Sequence, residues 1–154
     1  DSAHEYLKEL GAETVFGREQ FDDRSGQAML SGRWAGAVDT VGGNILTTIL
    51  RATRYGGCVA ACGLTAGNAL SMTVFPFILR GVTLCGIDSG FCAPQLRHPA
   101  WDRLAGPWKP DCLERIAQFI NLEQLPPKID QILAAQITGR VVVEIGGEEG
   151  ENEE

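Results

Sequence analysis

The sequence predicts an α/β fold built on a mainly parallel sheet, and three observations carry that prediction. Short apolar runs alternate with stretches of helical spacing along the whole chain. The run Cys58–Leu64 has no polar alternation, as expected of a parallel strand covered on both faces. And the apolar runs close on small residues, at Thr40-Val41-Gly42, Cys62-Gly63-Leu64 and Asp88-Ser89-Gly90.

The elements follow in order. His4–Leu10 reads as the end of an amphipathic helix, with Tyr6, Leu7 and Leu10 apolar and Gly11 as its stop. Glu13–Phe16 suits a short strand closed by Gly17, and Phe21–Arg33 a helix flanked by loops. Ala35–Val41 is a strand of small apolar residues. Asn44 is the expected cap of the next helix, whose Ile45, Leu46, Ile49 and Leu50 fall at helical spacing, and Tyr55-Gly56-Gly57 stops it. Phe75–Gly81 is a short helix opening near a proline, and Val82–Ile87 another strand. Ala100–Leu104 and Cys112–Ile120 suit helices separated by a break at Pro107–Pro110. Pro126-Pro127 leads into a helix over Lys128–Gln136, and Gly139-Arg140 starts a last strand, Val141–Ile145.

Composition bounds the function. The chain has 154 residues, about one domain, with 44% hydrophobic and 21% charged residues and 19 glycines. No apolar run reaches the roughly 20 residues needed to cross a bilayer, so no membrane role is expected. The net charge is −7, but five of the 20 acids lie in the tail Glu148–Glu154. Without them 15 acids face 13 bases, a nearly neutral body that gives no support for nucleic-acid binding. The tail, 146–154, reads as an acidic disordered end. Five cysteines without a leader segment imply reduced, buried thiols and a cytoplasmic setting. Cys58 and Cys62 stand four apart in a strand, about 13 Å, too far to share an ion, and no metal site is expected.

In an open parallel sheet, ligands bind at the carboxyl ends of the strands, and glycine there lets backbone approach a flat ligand. The three small-residue endings would suit a nucleotide lying across the strand tips. His4 and His98 have no obvious partner, no residue stands out as catalytic, and Trp34, Trp101 and Trp108 read as packing residues.

The wording of the segments is more specific. Tyr6-Leu7-Lys8-Glu9-Leu10-Gly11-Ala12, Trp34-Ala35-Gly36-Ala37-Val38-Asp39-Thr40-Val41-Gly42-Gly43, Tyr55-Gly56-Gly57-Cys58-Val59-Ala60-Ala61-Cys62-Gly63-Leu64, Phe75-Pro76-Phe77-Ile78-Leu79-Arg80-Gly81-Val82 and Gly139-Arg140-Val141-Val142-Val143 occur in one order. Together they resemble the zinc-independent, quinone-oxidoreductase-like branch of the medium-chain dehydrogenase/reductase superfamily, specifically the acryloyl-CoA reductase (YhdH-like) subfamily, over nearly everything from Ser2 to Ile145.

The resemblance implies a partial Rossmann-like, doubly wound sheet with flanking helices. Residues 1–97 would be the later part of a dinucleotide-binding domain and 98–145 its C-terminal helices and return strand. It implies NADPH as cofactor and hydride transfer to the β-carbon of an activated double bond, with a proton added at the α-carbon. Thr40, Val41 and Gly42 would line the adenosine and ribose side. Ala61, Cys62, Gly63 and Leu64 would hold the nicotinamide by backbone contacts, and Ile87, Asp88 and Ser89 would flank it. Arg18 would meet the adenosine 2′-phosphate, and Arg140 would reach the cofactor from the last strand. Each has a plainer reading: Arg18 as a turn arginine, Arg140 as a strand opener, Asp39 and Asp88 as acceptors for loop amides.

The departures matter equally. No Gly-x-Gly-x-x-Gly occurs in the sequence, and the family's first two cofactor strands and its substrate domain precede the matched region. The early strand would therefore be orphaned and the Ala35 strand an exposed edge. A three-stranded core, doubled as a homodimer along Val82–Ile87, is the expected remedy. The cofactor site would be weak or partial, without independent reductase activity. The other reading is an inactive remnant serving as a dimerisation or interaction module.

Overall fold

The computed structural model describes residues 2–145, of Ser2 the backbone alone, and the acidic tail 146–154 lies outside them. The chain forms two compact units, one of residues 16–97 and one of residues 2–15 with 98–145.

In the first unit, β1 (Trp34–Asp39), β2 (Thr53–Ala61) and β3 (Thr83–Gly86) form a parallel sheet in the order β1-β2-β3. This is the predicted three-stranded core. β1 and β2 are joined through α2 (Gly43–Arg51), and β2 and β3 through α3 (Phe75–Arg80). Leu46–Arg51 are all buried in α2. Leu46, Ile49 and Leu50 pack on Val59 and Val82, with Ala37, Ala61 and Leu84 around them. Fully burying such a side chain is worth about 1.5–3 kcal/mol, so α2 fixes one face of the sheet.

The other face is bare among the described residues. Val38 on β1 is 73% exposed, and Cys58 and Cys85 are exposed as well. The expectation of a strand covered on both faces, with buried thiols, is therefore corrected. The apolar run records the tolerance of the strand and not its cover.

α3 carries Pro76 in its first turn and ends at Gly81, whose φ of 59° is the left-handed conformation that glycine adopts without penalty. Arg80 at its end is a clamp. Its guanidinium donates to the carbonyls of Arg51 (3.1 Å), Thr53 (3.1 Å) and Leu30 (2.6 Å), tying together three segments far apart in sequence.

Several expected elements differ. Glu13–Phe16 forms no strand, because a strand needs a hydrogen-bonded neighbour and none is present for it among the described residues. Phe21–Arg33 is loop after a 3-10 turn at Arg18–Phe21, not a helix. Its Asp22-Asp23-Arg24-Ser25-Gly26 run folds on itself, with Ser25 N and Oγ donating to Asp23 Oδ1. Gly42, not Asn44, occupies the N-cap of α2; Asn44 Nδ2 donates instead to Asp22 Oδ1 and the Asp23 carbonyl. Tyr55-Gly56-Gly57 does not end the helix, which stops at Arg51. It lies in β2 where the pairing register with β1 slips between Trp34 and Gly36.

The second unit holds α1 (Ser2–Glu9), α5 (Leu113–Ile116), β4 (Ala117–Asn121), α6 (Leu125–Leu133) and β5 (Arg140–Glu144); α4 (Pro94–Ala105) enters it from the first. β4 and β5 pair in parallel through α6. The helix expected over Cys112–Ile120 thus breaks at Ile116, and Ala117–Asn121 extends to pair with Arg140–Glu144. Strand pairing outweighs a weak helical preference there. A capping box at Asn121 and Gln124 closes β4 and opens the 3-10 turn Leu122–Gln124 that leads into α6, whose Pro126 and Pro127 fall in the first turn, where a missing N–H costs nothing. Trp101 and Trp108 are 62% and 59% exposed, so only Trp34 packs as predicted, stacked on Phe21 with ring centroids 5.7 Å apart.

Candidate functional site at the strand tips

Because the three strands run parallel, their carboxyl ends lie along one edge in the order β1, β2, β3. Ten of the twelve predicted site residues fall there: Thr40, Val41 and Gly42 after β1; Ala61, Cys62, Gly63 and Leu64 at the end of β2; Ile87, Asp88 and Ser89 after β3. Thr40, Cys62, Leu64, Ile87, Asp88 and Ser89 are exposed.

The edge is bound together by its backbone. Cys62 N donates to the Asp39 carbonyl at 2.9 Å, and Ile87 N to that of Ala61 at 2.9 Å, extending the ladder beyond the strands. The Cys62 thiol also donates to the Asp39 carbonyl, at 3.4 Å. Ala66 N donates to the Val41 carbonyl at 2.8 Å, and Gly42 bridges Gly67.

Two glycines are required by this packing. Gly42 has φ 73°, and a Cβ there would stand 2.5 Å from the Gly67 oxygen; a Cβ on Gly63 would run into the Thr40 backbone. The glycines let the β1 and β2 tips touch each other.

Asp39, 2% exposed, shapes the first tip. Its Oδ2 accepts from Gly42 N at 2.8 Å, while Oδ1 is buried without a partner among the described residues. Asp88 does the same at the third tip, its Oδ1 accepting from Phe91 N at 2.9 Å. Both aspartates therefore serve loop amides. Arg97 Nη2 holds that tip from the outside, donating to the Ser89 carbonyl at 2.8 Å.

The two arginines are elsewhere. Arg18 lines a cavity of about 350 Å³ with Glu19, Asp22, Arg24, Asn44, Ile45 and Ala66, beside the start of α2. Arg24 is held by Asp22 at 2.8 Å. The Asp22 carboxyl sits below the usual carboxylate range, first through the Asn44 amide and then through Arg24. Arg140 belongs to the second unit, where its Nη1 donates to the Gly139 carbonyl at 3.0 Å and it borders a cavity with Ile132, Ile137 and Val141.

Sequence reasoning missed a cavity of about 750 Å³ between the Asp23–Ala28 loop, α2 and the Ala66–Thr73 segment. At its floor Arg51, 5% exposed, pairs with Asp23 at 2.8 Å. The Asp23 carboxyl lies below its ordinary range, mainly because the Ser25 hydroxyl donates to it, with Arg51 contributing less. The turn signature at 22–26 was the available signal, hidden by reading that stretch as helix.

The profile of the zinc-binding dehydrogenase family matches residues 1–105, and this chain belongs to that family. The acrylyl-CoA reductase AcuI of Ruegeria pomeroyi is 41% identical over 141 residues, covering 92% of this chain and 43% of the relative. The crystal structure of Bacillus subtilis yhfP with NAD bound superposes with a TM-score of 0.89 at 44% identity, covering 94% of this chain and 44% of that one. Escherichia coli YhdH with bound NADPH gives 0.86 at 43% identity, covering 95% and 45%. The chain thus spans less than half the length of these relatives. The resemblance read from the ordered motifs holds, and the fold is the parallel α/β sheet of this superfamily.

The family's name implies zinc, but the residues do not fit it. Among the described residues no three His, Cys, Asp or Glu side chains converge where they could hold an ion, and zinc takes four ligands, or three and a water. A nicotinamide dinucleotide fits in part. The open, small-residue edge would admit a flat ring, whereas no glycine fingerprint is present for the pyrophosphate.

Proposed function

We propose that this chain carries the nicotinamide side of an NADPH site belonging to an oxidoreductase that reduces an activated carbon–carbon double bond, of the acryloyl-CoA or quinone reductase type. The observation that carries the reading is the alignment of Thr40–Gly42, Ala61–Leu64 and Ile87–Ser89 along one exposed edge of a parallel sheet. In that arrangement residues 1–97 are the later part of the cofactor domain and 98–145 its C-terminal extension.

The cofactor supplies hydride. The protein's part is positioning. The Gly42 and Gly63 contacts keep the β1 and β2 tips close, so Thr40–Gly42 face the ribose and Ala61–Leu64 offer backbone groups to the carboxamide. Ile87, Asp88 and Ser89 would flank the nicotinamide from the next strand. Arg18 meets the 2′-phosphate, against the opposing carboxylates of Glu19 and Asp22 in the same cavity. The setting is cytoplasmic, and β3, an edge strand of the sheet, pairs with a second copy along Val82–Ile87.

Without a glycine-rich cradle the binding is weak, with Kd on the order of 1 mM, about −4 kcal/mol, and the chain alone does not turn over. Calorimetric titration with NADPH and NADH tests this. Binding of NADPH that weakens in Arg18→Ala supports the reading. Its absence at several millimolar favours the second reading, an inactive dimerisation module. Robust oxidation of NADPH with acryloyl-CoA by this chain alone would overturn the claim that it has no independent reductase activity.

A further inference from the structure

On the bare face of the sheet two thiols stand next to each other. The register sets Cys58 opposite Thr83 and Cys85 opposite Ala60. Side chains two apart in a strand share a face, so Cys58 and Cys85 project from the same side of adjacent strands, one diagonal step apart. Both are exposed. On the far side of β2 their neighbours are Gly36 and Val38, which offer no ligand atoms, and Thr83 adds only a hydroxyl. Strands about 4.8 Å apart with a two-residue offset put such positions roughly 8 Å from each other. A disulfide needs Cα atoms within about 6.8 Å, so direct S–S bonding is disfavoured. A cation bonded to two thiolates at about 2.3 Å each holds its sulfurs roughly 4.6 Å apart, a separation that two side chains leaning together reach.

The Cys58 thiol is pushed above the ordinary thiol range, first by desolvation against the sheet and then by the Cys85 thiol beside it. Cys62 follows on the same face of β2, but its thiol donates to the Asp39 carbonyl at 3.4 Å, and no third His, Cys, Asp or Glu converges there among the described residues. Soft thiolates select soft metals, so the site suits an ion content with two ligands.

We propose that Cys58 and Cys85 form a two-thiolate site for a soft d10 cation such as the cuprous ion. Both thiols lose their protons and both sulfurs bond the metal, giving a bis-thiolate complex and two released protons, with no change of oxidation state. The site is independent of the nucleotide edge.

The test is anaerobic titration of the reduced chain with cuprous ion against a competing chelator. One tightly held equivalent per chain is expected. It should protect Cys58 and Cys85 together from N-ethylmaleimide, while Cys92 and Cys112 remain labelled. Because two protons leave, affinity should fall by about 100-fold per pH unit on acidification. Cys58→Ser and Cys85→Ser should each weaken binding at least about tenfold, with unchanged circular dichroism because both positions are exposed, and Cys112→Ser should not. Survival of the tight equivalent in the Cys58→Ser/Cys85→Ser double variant, its mapping to other cysteines, or equally tight zinc binding would overturn the proposal.

Discussion

Arg80 belongs to a motif that marks the family, yet its geometry makes it a structural clamp, and replacing it tests that assignment. Arg80→Met keeps much of the stem and removes three hydrogen bonds, to the carbonyls of Arg51, Thr53 and Leu30. Bonds from a charged donor are worth about 1.5–3 kcal/mol each when well buried. Arg80 is only part-buried, so water competes and about 1 kcal/mol each, about 3 kcal/mol in all, is the reasonable figure. The Arg51 carbonyl keeps Leu30 N as a second donor at 2.9 Å, which trims the loss at that end. At about 2–4 °C per kcal/mol for a chain of this size, the thermal midpoint should fall by roughly 6–12 °C. Amide exchange should accelerate first in peptides spanning residues 28–34 and 50–55, where the three carbonyls lie. Arg80→Lys should recover about a third of the loss, because a single ammonium cannot fork across three acceptors. A midpoint within about 2 °C of the parent, or faster exchange confined to residues 98–145, would refute the clamp.

Other expectations follow from the strand tips and the loop at 22–25. Gly42→Ala places a Cβ against the Gly67 carbonyl at positive φ, and should cost about 1–3 kcal/mol by urea unfolding; a neutral effect would mean the β1 and β2 tips do not touch. Asp22 and Asp23 have depressed carboxyl pKa values, so their contribution to stability is full above the ordinary carboxylate range and is lost as pH falls through the folded values. Carboxyl chemical shifts followed to pH 2 should show Ser25→Ala raising the Asp23 value more than Arg51→Met does, since the Ser25 hydroxyl is the largest cause. The reverse ranking would contradict that order.

Much of the first unit could be read directly. The spacing of Ile45, Leu46, Ile49 and Leu50 is helical because α2 buries that stripe on Val59 and Val82, and β1 to β3 are apolar because they lie beneath it. The strand tips were legible because glycine at 42 and 63 answers a local steric demand. What failed was decided by distant partners. Glu13–Phe16 has strand composition but no neighbour, Ala117–Asn121 has mixed preferences settled by Arg140–Glu144, and the loop at 22–33 is organised by α2 through Asn44 and Arg51. The exposure of Cys58 and Cys85 was equally hidden. An apolar run shows that a face can be buried, and only the arrangement of helices shows that one side is not.

The most direct test of the cofactor claim is a titration of the isotopically labelled chain with NADPH, followed by amide chemical shifts. The account predicts saturable shifts at Thr40–Gly42, Ala61–Leu64 and Ile87–Ser89, with Arg18 responding to NADPH more than to NADH. Shifts confined to other regions, or none at several millimolar, would contradict it.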